Sequence, residues 1–385
     1  MTTIRSTERG ASGNVRRVQI AHVGAGTVGG TAIEQEIAHR SVWQDRYDID
    51  VAIGAVIGGE GAIVADTPEV LPAYLLTAIV NDRRSGHRIG ETARRHGLSL
   101  VDPQEAIARI EAFGPVIAMD AAAGDASAAI DVAALDTGGA VVLSNKAPMA
   151  MPAGTAGDRL WDEARRGGRV RYEATVGAGL PVISSLRTLL DTKDDVIEIT
   201  GTVSGTFGAI FCDLAEGKTF SESVRFAKAN RYTEPDPRDD LSGLDVARKA
   251  LILARTIGRE EDLSNVSIES LVPDSLQACS IDEFLEGISV LDAPIAERSA
   301  AADRENCVLK YVVTVRPEGD ISVGIASVSR TTVLGALQGP ENVVSFRTAR
   351  YDRYPMVISG PGAGAAVTAA GMIGDMLELA SMSEW

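Results

Sequence analysis

The N-terminal third of the chain alternates short apolar runs with stretches of helical apolar spacing. The apolar runs that predict strands lie at residues 18–23, 49–57, 116–119 and 140–144. Helical patterns follow the first run through residue 39 and span the alanine-rich residues 126–135. Strands that alternate with helices are typical of a parallel sheet with helices on its faces. The pattern therefore predicts an α/β fold for this part of the chain.

Beyond residue 150 both kinds of element continue. Apolar runs at residues 170–173, 196–203 and 355–359 predict strands, and helical spacing predicts helices that end near residues 190, 214 and 257. Thr219-Phe-Ser-Glu222 is a capping-box sequence that predicts the start of another helix. A final apolar helix is predicted to open at the glycines of residues 360–364. A chain of 385 residues is long enough for two domains.

A glycine-rich turn joins the first predicted strand to the first helix. Gly24 permits a tight turn, Gly26 lets the backbone approach a pyrophosphate, and Gly29 allows the helix to pack closely on the strand. Phosphates would meet the N–H groups at the start of this helix. The strand before the motif and the helix after it indicate a dinucleotide-binding turn.

The second predicted strand leads to Gly58-Gly59-Glu60. An acidic side chain near such a strand end binds the adenosine ribose of NAD. A solvated turn glutamate is an equally good interpretation of Glu60. The sequence therefore leaves NAD and NADP open.

Two lysines stand where a chemical role is possible. Lys146 follows the strand at residues 140–144, and open α/β sheets bind ligands beyond the carboxyl ends of their strands. Lys249 lies four residues after Asp245, so both share one face near the start of a helix that Ser242 is predicted to cap. The ordinary alternatives are a surface loop lysine for Lys146 and an exposed ion pair for Lys249 with Asp245.

The segment before this helix is rich in acidic residues and proline. Pro235 and Pro237 remove backbone donors and restrict the residues that precede them. We therefore predict that the first half of the block at residues 232–249 is a fixed, non-helical acidic loop.

Charge and composition exclude several classes of partner. A formal net charge of −16 disfavours nucleic acid and anionic lipid, and no apolar run reaches the length of about 18 residues that a membrane span needs. Residues 1–17 lack the apolar stretch of a signal peptide, so we interpret them as a flexible tail. The distant Cys212, Cys279 and Cys307 are typical of reduced thiols. We expect a cytoplasmic protein with a small-molecule substrate.

Several segments together resemble homoserine dehydrogenases, most closely the short fungal type without a regulatory extension. They occur in the family's order and cover roughly residues 18–379: Gly24-x-Gly26-x-Val-Gly29, Asn145-Lys146, Tyr172-Glu-Ala-Thr-Val-Gly-Ala-Gly-Leu-Pro181, Ser204-Gly205-Thr206, residues 232–249, and Gly360-Pro-Gly-Ala-Gly364. The resemblance implies NAD(P)-dependent interconversion of L-homoserine and L-aspartate 4-semialdehyde, on the aspartate-derived route to threonine, methionine and isoleucine. It also implies a homodimer.

The resemblance implies an α/β fold of two parts, a Rossmann-type parallel sheet domain and a mixed α/β catalytic and dimerisation domain. After the tail at residues 1–17, the dinucleotide-binding domain is expected at residues 18–150. The catalytic and dimerisation domain is expected at residues 151–340. A C-terminal segment, residues 341–385, is expected to return to the dinucleotide-binding domain.

Carried over by position, the resemblance gives the motifs their roles. Lys249 matches the proton-transfer residue and Lys146 the lysine at the substrate and nicotinamide site. The implied substrate-binding residues are Glu234, Asp245, Asp240, Gly205, Thr206 and Tyr232. The implied cofactor contacts are Gly24, Gly26, Thr27, Val28, Gly29, Ala122, Lys146 and Gly362. A structural sodium or potassium ion is implied at Glu173, Val176, Ala178 and Leu180.

The sequence departs from the family in two places. Asp120-Ala-Ala-Ala-Gly124 stands where relatives often have Thr or Ser, and residues 58–102 match poorly. Two other functions stay open, a same-fold dehydrogenase of another hydroxy amino acid and a non-catalytic NAD(P)-binding sensor. A sensor would be free to lose the two lysines and the carboxylates of Glu234 and Asp245, yet all four are present.

Overall fold

A computed structural model of the chain describes residues 15–65, 70–166 and 168–382, and within these ranges it contains two six-stranded sheets. The strands of the first sheet are β1 (Arg16–Val23), β2 (Ile49–Gly58), β3 (Gly61–Val64), β4 (Val116–Asp120), β5 (Ala140–Leu143) and β6 (Val170–Arg171). Their order is β3-β2-β1-β4-β5-β6. Neighbours are parallel except β3, which forms an antiparallel hairpin with β2.

The strands of the second sheet are β7 (Val196–Thr202), β8 (Val266–Ile268), β9 (Cys307–Val315), β10 (Ile321–Ser329), β11 (Glu341–Thr348) and β12 (Met356–Pro361). Their order is β12-β11-β7-β9-β10-β8. Neighbours are antiparallel except β8 and β10, which are parallel.

The helices cover one face or both faces of these sheets. The first group is α1 (Thr27–Tyr47), α2 (Ala73–Arg84), α3 (Ile89–Arg95), α4 (Pro103–Glu111), α5 (Ala128–Asp136), α6 (Ala156–Arg165), α7 (Val182–Asp191) and α8 (Gly205–Ala215). The second group is α9 (Phe220–Ala229), α10 (Pro237–Leu241), α11 (Leu244–Thr256), α12 (Ile281–Gly287), α13 (Asp292–Arg304), α14 (Val333–Ala336) and α15 (Ala365–Ser381). Short 3-10 helices lie at Pro148–Ala150, Glu173–Thr175, Leu263–Asn265, Asp274–Leu276 and Ile288–Leu291.

The C-terminal helix α15 packs against α1 on the first sheet. Its buried Met372 and Met376 join the same apolar cluster as Ile20 and Ile33. Within the predicted C-terminal segment, residues 341–385, strands β11 and β12 lie in the second sheet. Helix α15 therefore makes the return to the first sheet.

Helix α11 lies against the second sheet and is buried along most of its length. Val246, Leu251 and Leu253 on this helix are fully or almost fully buried, and the helix contacts β8, β9 and β10. A helix that is apolar on most of its surface belongs to a core. Its N-terminal turn, which carries Asp245, is consequently held rigidly at the edge of that core.

The acidic segment differs from its prediction. Residues Pro237–Leu241 form the short helix α10, with Asp236 as its N-cap and Pro237 as its first residue. Proline is accepted there because the first N–H of a helix has no intrahelical partner. The prediction that Ser242 caps the next helix is wrong: Ser242 ends α10, and the N-cap of α11 is Gly243, whose φ of +75° places it in the left-handed region.

Two predicted boundaries also differ, and one strand was not predicted. Arg16 and Arg17 belong to β1 rather than to a tail, and residues 1–14 lie outside the described ranges. Strand β6 joins the first sheet although it follows residue 150. The hairpin strand β3 has no counterpart in the prediction.

The described ranges hold three free cysteines. In the same ranges, no helix combines the length and the apolar character that crossing a bilayer requires.

Candidate functional site

The turn between β1 and α1 needs glycine at two positions for packing and offers open space at a third. A Cβ on Gly29 would lie 2.0 Å from the carbonyl oxygen of Gly24, and a Cβ on Gly24 would lie 2.9 Å from Cα of Ala122. Gly24 also has a φ of +86°. A Cβ on Gly26 would meet no atom within 4 Å. Gly26 thus borders the free space that a pyrophosphate needs, at the N-terminus where Thr27 begins α1.

A pocket of about 910 Å³ extends from this turn along the ends of β1, β2 and β4. It is lined by Gly24, Gly26, Gly58, Glu60, Arg83, Arg88, Gln104, Ala122 and Ser127, among others. The Glu60 carboxylate accepts the N–H of Gly90 at 3.2 Å and lies 3.3 Å from Nη1 of Arg88. Both Glu60, suited to a ribose, and two arginines, suited to a phosphate, line this pocket, so its chemistry permits NAD and NADP.

A second cleft of about 620 Å³ adjoins the pocket and shares residues 121–123 with it. It brings together Val28 of α1, the loop after β4, Lys146, the start of α11 and the residues before α15. Gly362 lines it from the C-terminal side. Predicted cofactor residues and the two predicted catalytic lysines therefore line the same cleft.

Asp245 joins the two lysines inside this cleft. Its Oδ2 lies 2.9 Å from Nζ of Lys249, and its Oδ1 lies 3.2 Å from Nζ of Lys146. Lys249 Nζ also donates to the carbonyl oxygen of Val203 at 2.6 Å. Burial in the cleft acts to raise the pKa of Asp245, but the charges and hydrogen bonds of Lys249 and Lys146 outweigh it and hold that pKa well below its usual range.

The other predicted substrate residues form a second cluster around the acidic loop. The hydroxyl of Thr206 lies 2.5 Å from the carbonyl oxygen of Tyr232 and 2.8 Å from Oδ1 of Asp240. Asp240 Oδ2 accepts the N–H of Glu234 at 2.8 Å, and burial raises the pKa of Asp240. This cluster fixes the loop against the start of α8, where Gly205 is the first residue.

The two clusters are linked through the backbone at the end of β7. Val203, whose carbonyl binds Lys249, directly precedes the Ser204-Gly205-Thr206 turn. The side chain of Glu234 is exposed, whereas Asp245 is bound to two lysines. Of these two predicted substrate-binding residues, only Glu234 therefore offers an uncommitted carboxylate.

Two residues of the site were absent from the sequence prediction. Arg248 lines the cleft one residue before Lys249 and three residues after Asp245. Its i,i+3 spacing from Asp245 was the available signal, because such residues share a helix face. Asp120 is fully buried below the cleft. The sequence marked the segment that it begins as a departure from the family, but gave Asp120 itself no role.

The glycine-rich turn after β6 uses the Glu173 side chain differently from a carboxylate metal ligand. Its two oxygens accept the N–H groups of Ile183 and Ser184 at 2.6 and 2.9 Å, so the carboxylate caps the N-terminus of α7. Ala178 adopts a φ of +57°, and its carbonyl faces the position of Gly371 on α15. A cation at this turn would have to be held by the backbone carbonyls of Glu173, Val176, Ala178 and Leu180.

A family model described as homoserine dehydrogenase matches residues 181–377. The chain is 45% identical over 220 residues to the homoserine dehydrogenase of Saccharomyces cerevisiae, a match that covers 55% of this chain and 61% of that enzyme. It is 34% identical over 363 residues to a bifunctional aspartokinase/homoserine dehydrogenase of Arabidopsis thaliana, which covers 93% of this chain and 38% of that protein. The chain thus spans between about two fifths and three fifths of these curated relatives.

Among solved structures, a hyperthermophilic archaeal homoserine dehydrogenase in complex with NADPH has the same fold. The TM-score is 0.69 at 23% identity, and the match covers 94% of this chain and 97% of that one.

Proposed function

Because this chain belongs to the homoserine dehydrogenase family, we propose that it interconverts L-homoserine and L-aspartate 4-semialdehyde with NAD or NADP. The observation that carries the proposal is the Asp245 carboxylate held between Lys146 and Lys249 in the cleft that adjoins the glycine turn. An ordinary surface ion pair has one partner and no cavity beside it. Here two ammonium groups face a space large enough for a small amino acid.

The charges of the cleft and of the neighbouring acidic loop match those of homoserine. Its ammonium group is assigned to Glu234 and to the carbonyl oxygens of the acidic loop, which lies outside the lining of the cleft and is linked to it through Val203. Its carboxylate is assigned to the cationic side of the cleft, formed by Lys146 and Arg248. This orientation would direct the hydroxyl-bearing carbon toward Lys249 and the loop at residues 121–124.

Lys249 is the proposed proton-transfer residue. An ammonium has three N–H donors, of which Lys249 uses one for Val203 and one for Asp245. The third is available to donate a proton to the oxygen of the semialdehyde as its carbonyl carbon is reduced. In the opposite direction the neutral amine of Lys249 would take the hydroxyl proton of homoserine.

The pocket beside the turn fits a dinucleotide, because Gly26 borders open space at the start of α1 while Gly24 and Gly29 are closely packed. When bound there, NAD(P) would accept or supply the hydride. The proposed contacts are Gly24, Gly26, Thr27, Val28, Gly29, Ala122, Lys146 and Gly362. On this proposal β1–β6 with α1–α5 and α15 form the dinucleotide-binding part, and the second sheet forms the catalytic part.

We propose a structural sodium or potassium ion at the turn formed by residues 173–180. Its ligands would be backbone carbonyls, since the Glu173 carboxylate already caps α7. The role would be structural, because the turn packs against α15: a Cβ on Gly179 would lie 2.4 Å from the carbonyl oxygen of Val367.

We further propose that the protein is a cytoplasmic homodimer acting in aspartate-derived amino acid synthesis. Thr200, Ser345 and Val357 lie opposite one another on β7, β11 and β12, on one face of the second sheet. These three are half-buried or exposed, while Ile199 and Phe346 on the other face are fully buried. The centre of this face is uncharged, with the charged Glu198 and Arg347 beside it, and a core without charges flanked by charged residues is typical of an interface with a second copy. The free cysteines agree with a reducing compartment.

A substrate panel tests the proposed activity. Initial rates of nicotinamide reduction are measured with L-homoserine, L-serine, L-threonine and 4-hydroxybutyrate, each with NAD and NADP. We expect turnover with homoserine to exceed that with every other compound. Faster turnover of another hydroxy amino acid would make that compound the assigned substrate. Cofactor binding without any turnover would favour a sensor.

A further inference from the structure

Asp120 ends β4 at the centre of the first sheet and is fully buried. Its Oδ1 accepts the N–H of Ala122 at 2.8 Å. Its Oδ2 accepts the hydroxyl of Ser127 at 2.7 Å and Nδ2 of Asn145 at 3.1 Å. One carboxyl group therefore holds the loop after β4 at two points and the end of β5 at a third.

These contacts reach both cavities of the site. The loop at residues 121–123 lines the dinucleotide pocket and the catalytic cleft alike. Asn145 precedes Lys146, donates to the carbonyl oxygen of Gly124 at 2.7 Å and accepts the N–H of Ala147 at 3.1 Å. A shift of Asp120 would therefore move the cofactor loop and the Lys146 loop together.

A second buried carboxyl group, Asp131 on α5, is close enough to Asp120 for the two carboxyl groups to affect each other's pKa. Asp131 is fully buried, and within the described ranges neither of its oxygens meets an N–H or O–H donor from another group. Two ionised carboxylates in such a place would repel each other without compensation. Burial, and then the charge of Asp120, raise the pKa of Asp131 well above its usual range.

We propose that Asp120 and Asp131 share one proton and act as a positioning pair that holds the loop at residues 121–127 and the Asn145-Lys146 turn in register for the cofactor. Asp131 carries the proton and donates it to Asp120, which stays ionised and accepts from Ala122, Ser127 and Asn145. The predicted effect of this pair on catalysis rests on the proposed dehydrogenase activity. The predicted effect on cofactor binding is independent of that activity.

The variants Asp120→Asn and Asp131→Asn separate the role of Asp120, which accepts the three hydrogen bonds, from that of Asp131, which carries the proton. In D120N an amide must take the place of an oxygen acceptor, so at least one of the three donors loses its partner. In D131N the amide N–H still donates to Asp120 as the shared proton does. Ser127→Ala removes the hydroxyl that donates to Asp120 and adds no new polar group. It tests the same contact if D120N fails to fold.

The primary readout is the dissociation constant of NADPH and of NADH, measured by nucleotide fluorescence on the full chain, with kcat and the KM for homoserine as second readouts. We expect D120N to raise the cofactor dissociation constant and lower kcat by on the order of tenfold each. We expect S127A to raise the dissociation constant by about threefold, and D131N to stay within about twofold of wild type.

Unchanged cofactor affinity in folded D120N and S127A would overturn the positioning role. Equal losses in D131N and D120N would overturn the assignment of the proton to Asp131. If wild type binds cofactor but does not oxidise homoserine, the affinity comparison still decides on the pair, while the proposed function fails separately.

Discussion

At the scale of single residues, the site is organised by one carboxylate that keeps two like charges together. Lys146 and Lys249 come from different elements, and Asp245 is bound to both. Without a negative charge between them, the two ammonium groups would repel each other. Asp245 thus fixes the distance between the proposed acid–base residue and the cationic side of the cleft.

Replacing Asp245 by asparagine should therefore impair catalysis more than folding. We expect kcat/KM for homoserine to fall by about 100-fold, because Lys249 loses the partner that orients it. Initial-rate measurements at neutral pH test this. Glu105→Gln is a matched control, since Glu105 also pairs with a residue four positions later, Arg109 at 2.6 Å, on the exposed face of α4. A similar loss in both variants would contradict the assigned role of Asp245.

The buried Asp131 predicts a pH-dependent cost to stability. Its pKa is raised in the folded protein by burial and by Asp120, whereas the unfolded chain loses this proton near pH 4. The folded state then binds more protons than the unfolded state, so the free energy of unfolding falls as the pH rises above about 4, until the raised pKa is passed. D131N cannot titrate.

We therefore expect the difference in unfolding free energy between D131N and wild type to shift in favour of D131N from pH 5 to pH 7. Urea unfolding at the two pH values measures it. A difference that is independent of pH would show that Asp131 is ionised in the folded protein.

Some contacts between site residues could be predicted from the sequence, and others could not. The i,i+4 spacing of Asp245 and Lys249 predicts their contact from sequence alone. The approach of Lys146 needs the tertiary arrangement of β5 and α11, and only the family resemblance indicated it. The commitment of the Glu173 carboxylate to α7 was unpredictable, since the glutamate lies ten residues before the N–H group that it caps.

At the scale of elements, different glycines of the turn between β1 and α1 serve helix packing and access of the ligand. Gly29 lies against the Gly24 carbonyl, while Gly26 faces open space. We expect Gly26→Ala to fold normally and to raise the cofactor KM by on the order of tenfold, because the added methyl occupies the pyrophosphate path. Kinetics at saturating homoserine, with the thermal midpoint as a folding check, measure this.

Gly29→Ala is the matched variant with the opposite expectation. The added Cβ must displace backbone, so we expect it to lower the free energy of unfolding by about 1–3 kcal/mol. Chemical denaturation tests this. Equal loss of stability in both variants would contradict the division of roles within the turn.

Local sequence patterns explain which strands and helices could be predicted. The strands of the first sheet are mostly apolar, and such runs are typical of strands buried on both faces. Helix α10 was missed because two prolines were taken to exclude a helix, although Pro237 occupies the first helical position. Strand β3 was missed because it begins with Gly61, directly after the turn-like Gly58-Gly59-Glu60, and glycine is depleted in strands.

At the scale of the whole molecule, the second sheet has one face packed on helices and another that is partly open. The pairing order β12-β11-β7-β9-β10-β8 joins strands that are distant in sequence, so no local pattern could predict it. The open face carries Thr200, Ser345 and Val357 in line. This is the surface that the proposed homodimer would bury.

A charge on this face tests the dimer. We expect Val357→Lys to convert a dimer into a monomer in sedimentation velocity, because a paired interface would have to bury an unpaired ammonium. Val290→Lys is the control, since Val290 is also an exposed valine but lies on a 3-10 helix. A wild-type monomer, or a dimer unaffected by V357K, would contradict this placement of the interface.

The most direct test of the proposed mechanism is the rate of homoserine-dependent NAD(P) reduction by wild type, Lys249→Ala and Lys218→Ala, with cofactor binding measured in parallel. Lys218 is a suitable control, because it also forms a lysine–aspartate ion pair, with Asp213 at 2.8 Å, but lies outside both cavities. We predict that K249A binds the cofactor normally and loses about 100-fold or more in kcat, while K218A keeps the wild-type rate. A K249A enzyme that oxidises homoserine at the wild-type rate would contradict the proposed proton transfer by Lys249.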